Sequence, residues 1–141
     1  MKSKYVLLAS TMLISVATFA QKDQIKAAEK ALKAGKSDEA KTILLDAESV
    51  ITNATEAEKA QYYFVKGNVM LDLANKSVDK DANLSLAAGA FQELIEVEKA
   101  SGKSKYTAQA TKSVMDIKYK LINEAIADSK SDKHEVAAKK L

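Results

Sequence analysis

Residues 31–47, ALKAGKSDEAKTILLDA, constrain this chain more than any other stretch. Gly35 separates two runs of helix-forming residues, and Ala40, Leu44 and Ala47 follow it at helical spacing. Glycine enters the left-handed conformation that ends a helix without a steric penalty. Ser37 reads as the N-cap of the next helix, with Asp38 and Glu39 placed to complement its dipole. The segment is therefore a helix, a tight turn and a second helix, with small residues where the two cross. Four glycines and no proline in 141 residues extend that expectation to long, uninterrupted helices throughout.

Residues 1–20 stand apart from the fold. Lys2 and Lys4 make a basic start, Tyr5 to Val16 is mostly apolar, and Ala17-Thr18-Phe19-Ala20 has the small residues of a cleavage site. That order is the layout of a secretory signal peptide. The apolar run is shorter than the ~20 residues a membrane-spanning helix needs. The expected mature chain is residues 21–141, exported to the periplasm or secreted after cleavage following Ala20, with no stable membrane anchor. Loss of Lys2 and Lys4 takes the net charge from +3 to about +1. All basic residues are lysine, and neither arginine nor tryptophan occurs. Without guanidinium forks or a strong positive charge, nucleic-acid binding is not expected. No cysteine is present, so packing alone must hold an exported fold.

Apolar periodicity and capping signals predict six helices in all, beginning with the pair that Gly35 separates. The first helix covers about residues 22–34, with Ile25, Ala28 and Leu32 on its face. The second carries Ala40, Ile43, Leu44, Ala47, Val50 and Ile51. Thr55 and Glu58 form a capping box that opens the third, whose expected face is Ala60, Tyr63, Phe64, Gly67, Met70, Leu71 and Ala74. Residues 75–83, NKSVDKDAN, read as a polar loop. The fourth helix, about 84–100, turns Leu84, Ala87, Ala88, Phe91, Leu94 and Ile95 inward. The fifth, about 104–129, carries Tyr106, Ala110, Val114, Ile117, Leu121, Ala125 and Ile126 along one side. Asp132 and Glu135 suggest the cap of a sixth, which reaches Leu141 after two turns. The chain is accordingly read as the N-terminal piece of a longer protein.

The hairpins share a register. Ala40-x-x-x-Leu44-x-x-Ala47 matches Ala87-x-x-x-Phe91-x-x-Leu94, and Ala137-x-x-x-Leu141 begins the same way. Tyr63-x-x-x-Gly67 and Leu121-x-x-x-Ala125 repeat a large-then-small order on the intervening helices. This pattern resembles the tetratricopeptide repeat, a helix-turn-helix unit of about 34 residues. The resemblance implies an all-α fold of antiparallel helical hairpins stacked as an α-solenoid. Ala40, Ala87 and Ala137 lie 47 and 50 residues apart, so HEAT-type repeats of about 40–47 residues are the second choice. Proteins built this way bind other proteins or peptides on their stacked helices. A non-catalytic helical region of a larger exported enzyme or envelope transport assembly is the alternative, and a membrane-associating amphipathic bundle ranks last.

Candidate chemistry is sparse. His134 is the only histidine and has no cysteine beside it, so neither a zinc site nor a Ser-His-Asp triad is supported. Asp79, Asp81 and Asn83 alternate as in a calcium loop, but Leu84 and Ala90 replace the required glycine and glutamate. Asn53-Ala54-Thr55 and Asn83-Leu84-Ser85 match the glycosylation sequon but are read as helix caps. No catalytic, cofactor-binding or metal-binding residue is assigned, and no cofactor is expected. Adjacent helical residues diverge by about 100°, so Tyr62 and Tyr63 cannot both face one seam. Tyr62 is the residue expected to face outward, flanked by Lys59 and Lys66, and these three form the candidate partner-binding set, suited to an acidic partner.

Overall fold

The computed structural model describes residues 21–130. The signal-peptide segment, His134 and the start of the sixth helix lie outside the described residues. Among those described, the chain is all-α: α1 (21–33), α2 (Ser37–Glu48), α3 (Glu56–Asn75), α4 (Lys80–Ala100) and α5 (Thr107–Lys130). A 3-10 turn, Ile51–Asn53, joins α2 to α3.

Three of the four connections use one device. At the end of α1, Lys36 N–H donates to Ala31 O at 3.0 Å and Gly35 N–H to Leu32 O at 2.9 Å, with Gly35 at φ 76°. This is a Schellman motif, which pairs carbonyls left open at a helix end. Gly102, at φ 66°, does the same after α4, through Lys103 N–H to Glu98 O. After α3 the left-handed residue is Ser77, at φ 61°, and Val78 N–H reaches Leu73 O at 3.0 Å. Because the turn closes this tightly, α4 starts at Lys80, four residues before the expected position. Asn83, expected as a cap on a solvated loop, is buried inside α4, and its Nδ2 donates to Val78 O at 2.8 Å. Asp81 and Asn83 therefore sit on a helix and do not converge as calcium ligands would.

Neighbouring helices run antiparallel. Glu48 and Ser37 of α2 meet Lys66 and Asp72 of α3, in reversed order. Phe91 of α4 packs on Gly67 of α3. Lys80 and Glu98 of α4 meet Glu124 and Thr107 of α5. Odd-numbered helices also touch: Gln61 of α3 donates to Glu29 of α1 at 3.4 Å, and Phe64 of α3 stacks on Tyr106 at 4.4 Å between ring centres.

Core and caps follow the sequence reading in part. Ala40, Leu44, Ala87, Phe91 and Leu94 are buried, as expected for the crossing and space-filling positions. The Thr55–Glu58 capping box is present, Thr55 N–H donating to Glu58 Oε2 at 3.0 Å and Glu58 N–H to Thr55 Oγ1 at 3.3 Å. Ser37 differs. It is the first residue of α2 and not its cap, and its hydroxyl donates to Asp72. Ile126, expected on the inner side of α5, is exposed.

Candidate binding groove

The expected outward residue is the most buried aromatic of its cluster. Tyr62 is 1% exposed, and its hydroxyl donates to Leu44 O across a long 3.4 Å contact. The reason is that α3 is covered on more than one side. Tyr62, Val65, Val69 and Leu73 form one buried stripe, while Ala60, Gly67, Met70 and Ala74 form another. Tyr63 and Phe64 are half-buried. Tyr62 is thus corrected from surface residue to core, and Tyr63 meets it edge-on at 5.3 Å. Burial pushes the Tyr62 phenol well above its ordinary range, with Glu48 adding to the effect.

The two lysines are engaged within the chain. Lys66 Nζ lies 2.6 Å from Glu48 Oε1 and 5.5 Å from the centre of the Tyr62 ring. Lys59 Nζ lies 2.9 Å from Glu56 Oε1. Neither offers a free cation to an acidic partner, contrary to the charge expected from sequence.

A groove of about 360 Å³ opens beside these residues, between the end of α2 and the first half of α4, above α3. Tyr63 and Ala90 line its floor, Leu86 and Gly89 one wall, and Glu48 and Glu93 its two rims. A Cβ built on Gly89 meets nothing within 4 Å, so the wall is open at that point. Leu86 is 48% exposed. Glu48 is matched by Lys66, whereas Glu93 makes no ion pair among the described residues. Burial, then Glu93 and Glu48, raise the Tyr63 phenol. The groove therefore combines exposed apolar surface with net negative charge. Sequence reasoning missed it because Glu48, Tyr63, Leu86 and Glu93 come from three helices, and only the packing of α2 and α4 on α3 brings them together.

Two polar clusters elsewhere serve the fold. Glu98 is 2% exposed; it accepts from Tyr106 N–H at 3.0 Å, Thr107 N–H at 2.8 Å and Thr107 Oγ1 at 2.6 Å. It thus caps α5 from α4, a role with no local sequence signal. Burial by itself would raise its carboxyl pKa, but the Thr107 hydroxyl and the backbone N–H groups outweigh burial and hold it below the ordinary carboxylate range. The second cluster joins Ser37, Asp72 and Lys76. Lys76 Nζ donates to Gly35 O at 2.9 Å and Ser37 Oγ at 3.0 Å and pairs with Asp72 at 2.7 Å. These three contacts tie the α1–α2 turn to the end of α3. Among the described residues, no group of three or more His, Cys, Asp or Glu side chains is placed to hold a metal ion. No described helix is long and apolar enough to cross a membrane.

Comparison of the chain with protein-family models, with curated proteins and with solved structures gives no match.

Proposed function

We propose that the chain is an exported, non-catalytic scaffold that binds other proteins on a tetratricopeptide-like stack of helical hairpins. Antiparallel neighbours, and contacts that link α1 to α3 and α3 to α5, support the stacked reading. The observation that carries the binding role is the acid-rimmed groove over Tyr63, with Leu86 exposed and Glu93 unpaired. Such a surface accepts an amphipathic helix whose apolar side chains meet Leu86 and Tyr63 and whose lysine meets Glu93. The partner is basic at this contact, because the neighbouring lysine is already neutralised by Glu48.

Titration of the purified chain with a synthetic helical peptide, leucines on one face and lysines beside them, tests the site. Saturable binding that is lost with Glu93→Lys and with a glutamate-for-lysine peptide is expected. Equal binding of both peptides, or none of either, removes the groove from the proposal.

A further inference from the structure

One helix of this chain has the chemistry that the groove lacks. On α5, Met115, Tyr119, Ile122 and Ile126 are 54%, 67%, 37% and 49% exposed. Their spacing of four, three and four residues places them on one stripe about three turns long. Buried Ala110, Ile117 and Ala125 lie on the opposite face, so the stripe is a second apolar face that no described helix covers. Ile122 also edges a groove of about 270 Å³ between α4 and α5, so the apolar surface is continuous from one to the other.

The charges beside the stripe are net positive. Lys112 and Asp116 pair with each other at 3.0 Å, while Lys118 makes no ion pair among the described residues. The groove over Tyr63 has the opposite balance, with Glu93 unpaired. Pairing two α5 stripes face to face would bring basic surface against basic surface. Pairing the stripe with the groove joins opposite charges and covers both apolar surfaces.

From this complementarity we infer that the occupant of the α5 stripe is a second copy of this chain, its acid-rimmed groove receiving α5 head to tail. The inference rests on the groove being a helix-binding site, as proposed above. Contact between two different surfaces of one chain is heterologous. It leaves a free groove at one end and a free stripe at the other, so association continues past the dimer unless the ring closes. Lys118 meets Glu93, and Tyr119 and Ile122 meet Leu86 and Tyr63.

Sedimentation of the full chain over a range of concentrations reads the association, with helical content checked by circular dichroism. The mean mass is expected to rise with concentration, and more so at low salt, where the ion pair is less screened. Glu93→Lys and Lys118→Glu each place like charges across the contact and are expected to weaken association by at least about tenfold. Both residues are exposed, so neither change disturbs the core. Combining the two in one chain reverses the pair and restores association. A mixture of Leu86→Ser/Glu93→Lys with Tyr119→Ser/Ile122→Ser, which keeps Lys118, is expected to stop at a heterodimer, since only one working groove and one working stripe remain and the other pairing sets lysine against lysine. Monomers at every concentration, unchanged association in either single variant, or no heterodimer in the mixture would each overturn the inference. Peptide binding to the groove without self-association would leave the proposed function intact and remove only this step.

Discussion

Gly67 and Phe91 are matched across the α3–α4 contact: a Cβ on Gly67 would sit 2.6 Å from the Phe91 ring. The ring is fully buried, so the missing side chain is what lets the two helices approach. Gly67→Ala gains about 1 kcal/mol of helix propensity but overpacks the contact at about 1–3 kcal/mol. A net loss in thermal stability is expected. Gly89→Ala, where a Cβ meets nothing within 4 Å, keeps the propensity gain without the clash and should raise the melting temperature. The opposite signs of the two melts are the check.

Phe91→Ala empties the other half of the same contact. Removing a buried phenylalanine costs about 3–5 kcal/mol, a large part of the roughly 5–15 kcal/mol that holds a typical domain. Chemical denaturation should show a midpoint well below that of wild type. A midpoint within experimental error of wild type would show that Phe91 is not the packing centre.

Ser77 takes a left-handed conformation in the α3–α4 turn at φ 61°, as does Asp79 at φ 37°. That conformation costs a non-glycine residue about 1–2 kcal/mol. Ser77→Gly removes the cost and should stabilise the chain, offset in part by the greater freedom of glycine when unfolded. Gly35→Ala imposes the same conformational cost at a turn that now avoids it. Parallel urea titrations are expected to shift in opposite directions.

The buried Glu98 carboxylate caps α5, and its hydrogen bonds to Thr107 and Tyr106 outweigh burial and hold its pKa below the ordinary value in the folded protein. A depressed carboxyl pKa adds stability that is present above the unfolded value and is lost as pH falls through the folded one. Melting temperature should therefore hold near neutral pH and decline as pH falls through the ordinary carboxylate range toward the depressed folded value. Glu98→Gln loses charge-assisted bonds and places an amide group where only donors await it, at a cost of about 1–3 kcal/mol at neutral pH. Its acid decline should also be shallower than that of wild type, because one depressed carboxyl no longer contributes.

Tyr62 sits in the core, so truncation to Ala should destabilise by about 3–5 kcal/mol, as for other buried aromatics. Tyr62→Phe removes only a long 3.4 Å hydrogen bond and should cost about 1 kcal/mol or less. Ultraviolet titration of the tyrosines gives a second reading. One phenol should resist ionisation until the chain unfolds, and the Phe variant should lack it.

Helix formation was legible along the chain because it depends on local chemistry. Alanine-rich runs, the absence of proline, the Thr55–Glu58 box and glycines at 35 and 102 all act within a few residues of themselves. The turn at residues 76–79 was legible only as a longer polar loop over 75–83, because Ser77 takes a left-handed conformation that glycine would have advertised. Periodicity placed Leu44, Ala87 and Phe91 correctly, since α2 and α4 each bury one main stripe. It misplaced Tyr62, since α3 is packed on several sides and its burial has no single helical phase.

The residues themselves determined an all-α chain with small residues at its crossings. Only the packing decided which faces remained outside. Lys66 is an available cation in the sequence and a neutralised one beside Glu48. Glu93 is one more surface carboxylate until α4 lies against α3 and sets it at the rim of a groove. Ile126 reads as core beside Ile117 and Ala125 until the packing of α5 leaves it outside with Met115, Tyr119 and Ile122. Local structure depends on neighbours in the chain, whereas charge balance and exposure depend on neighbours in space.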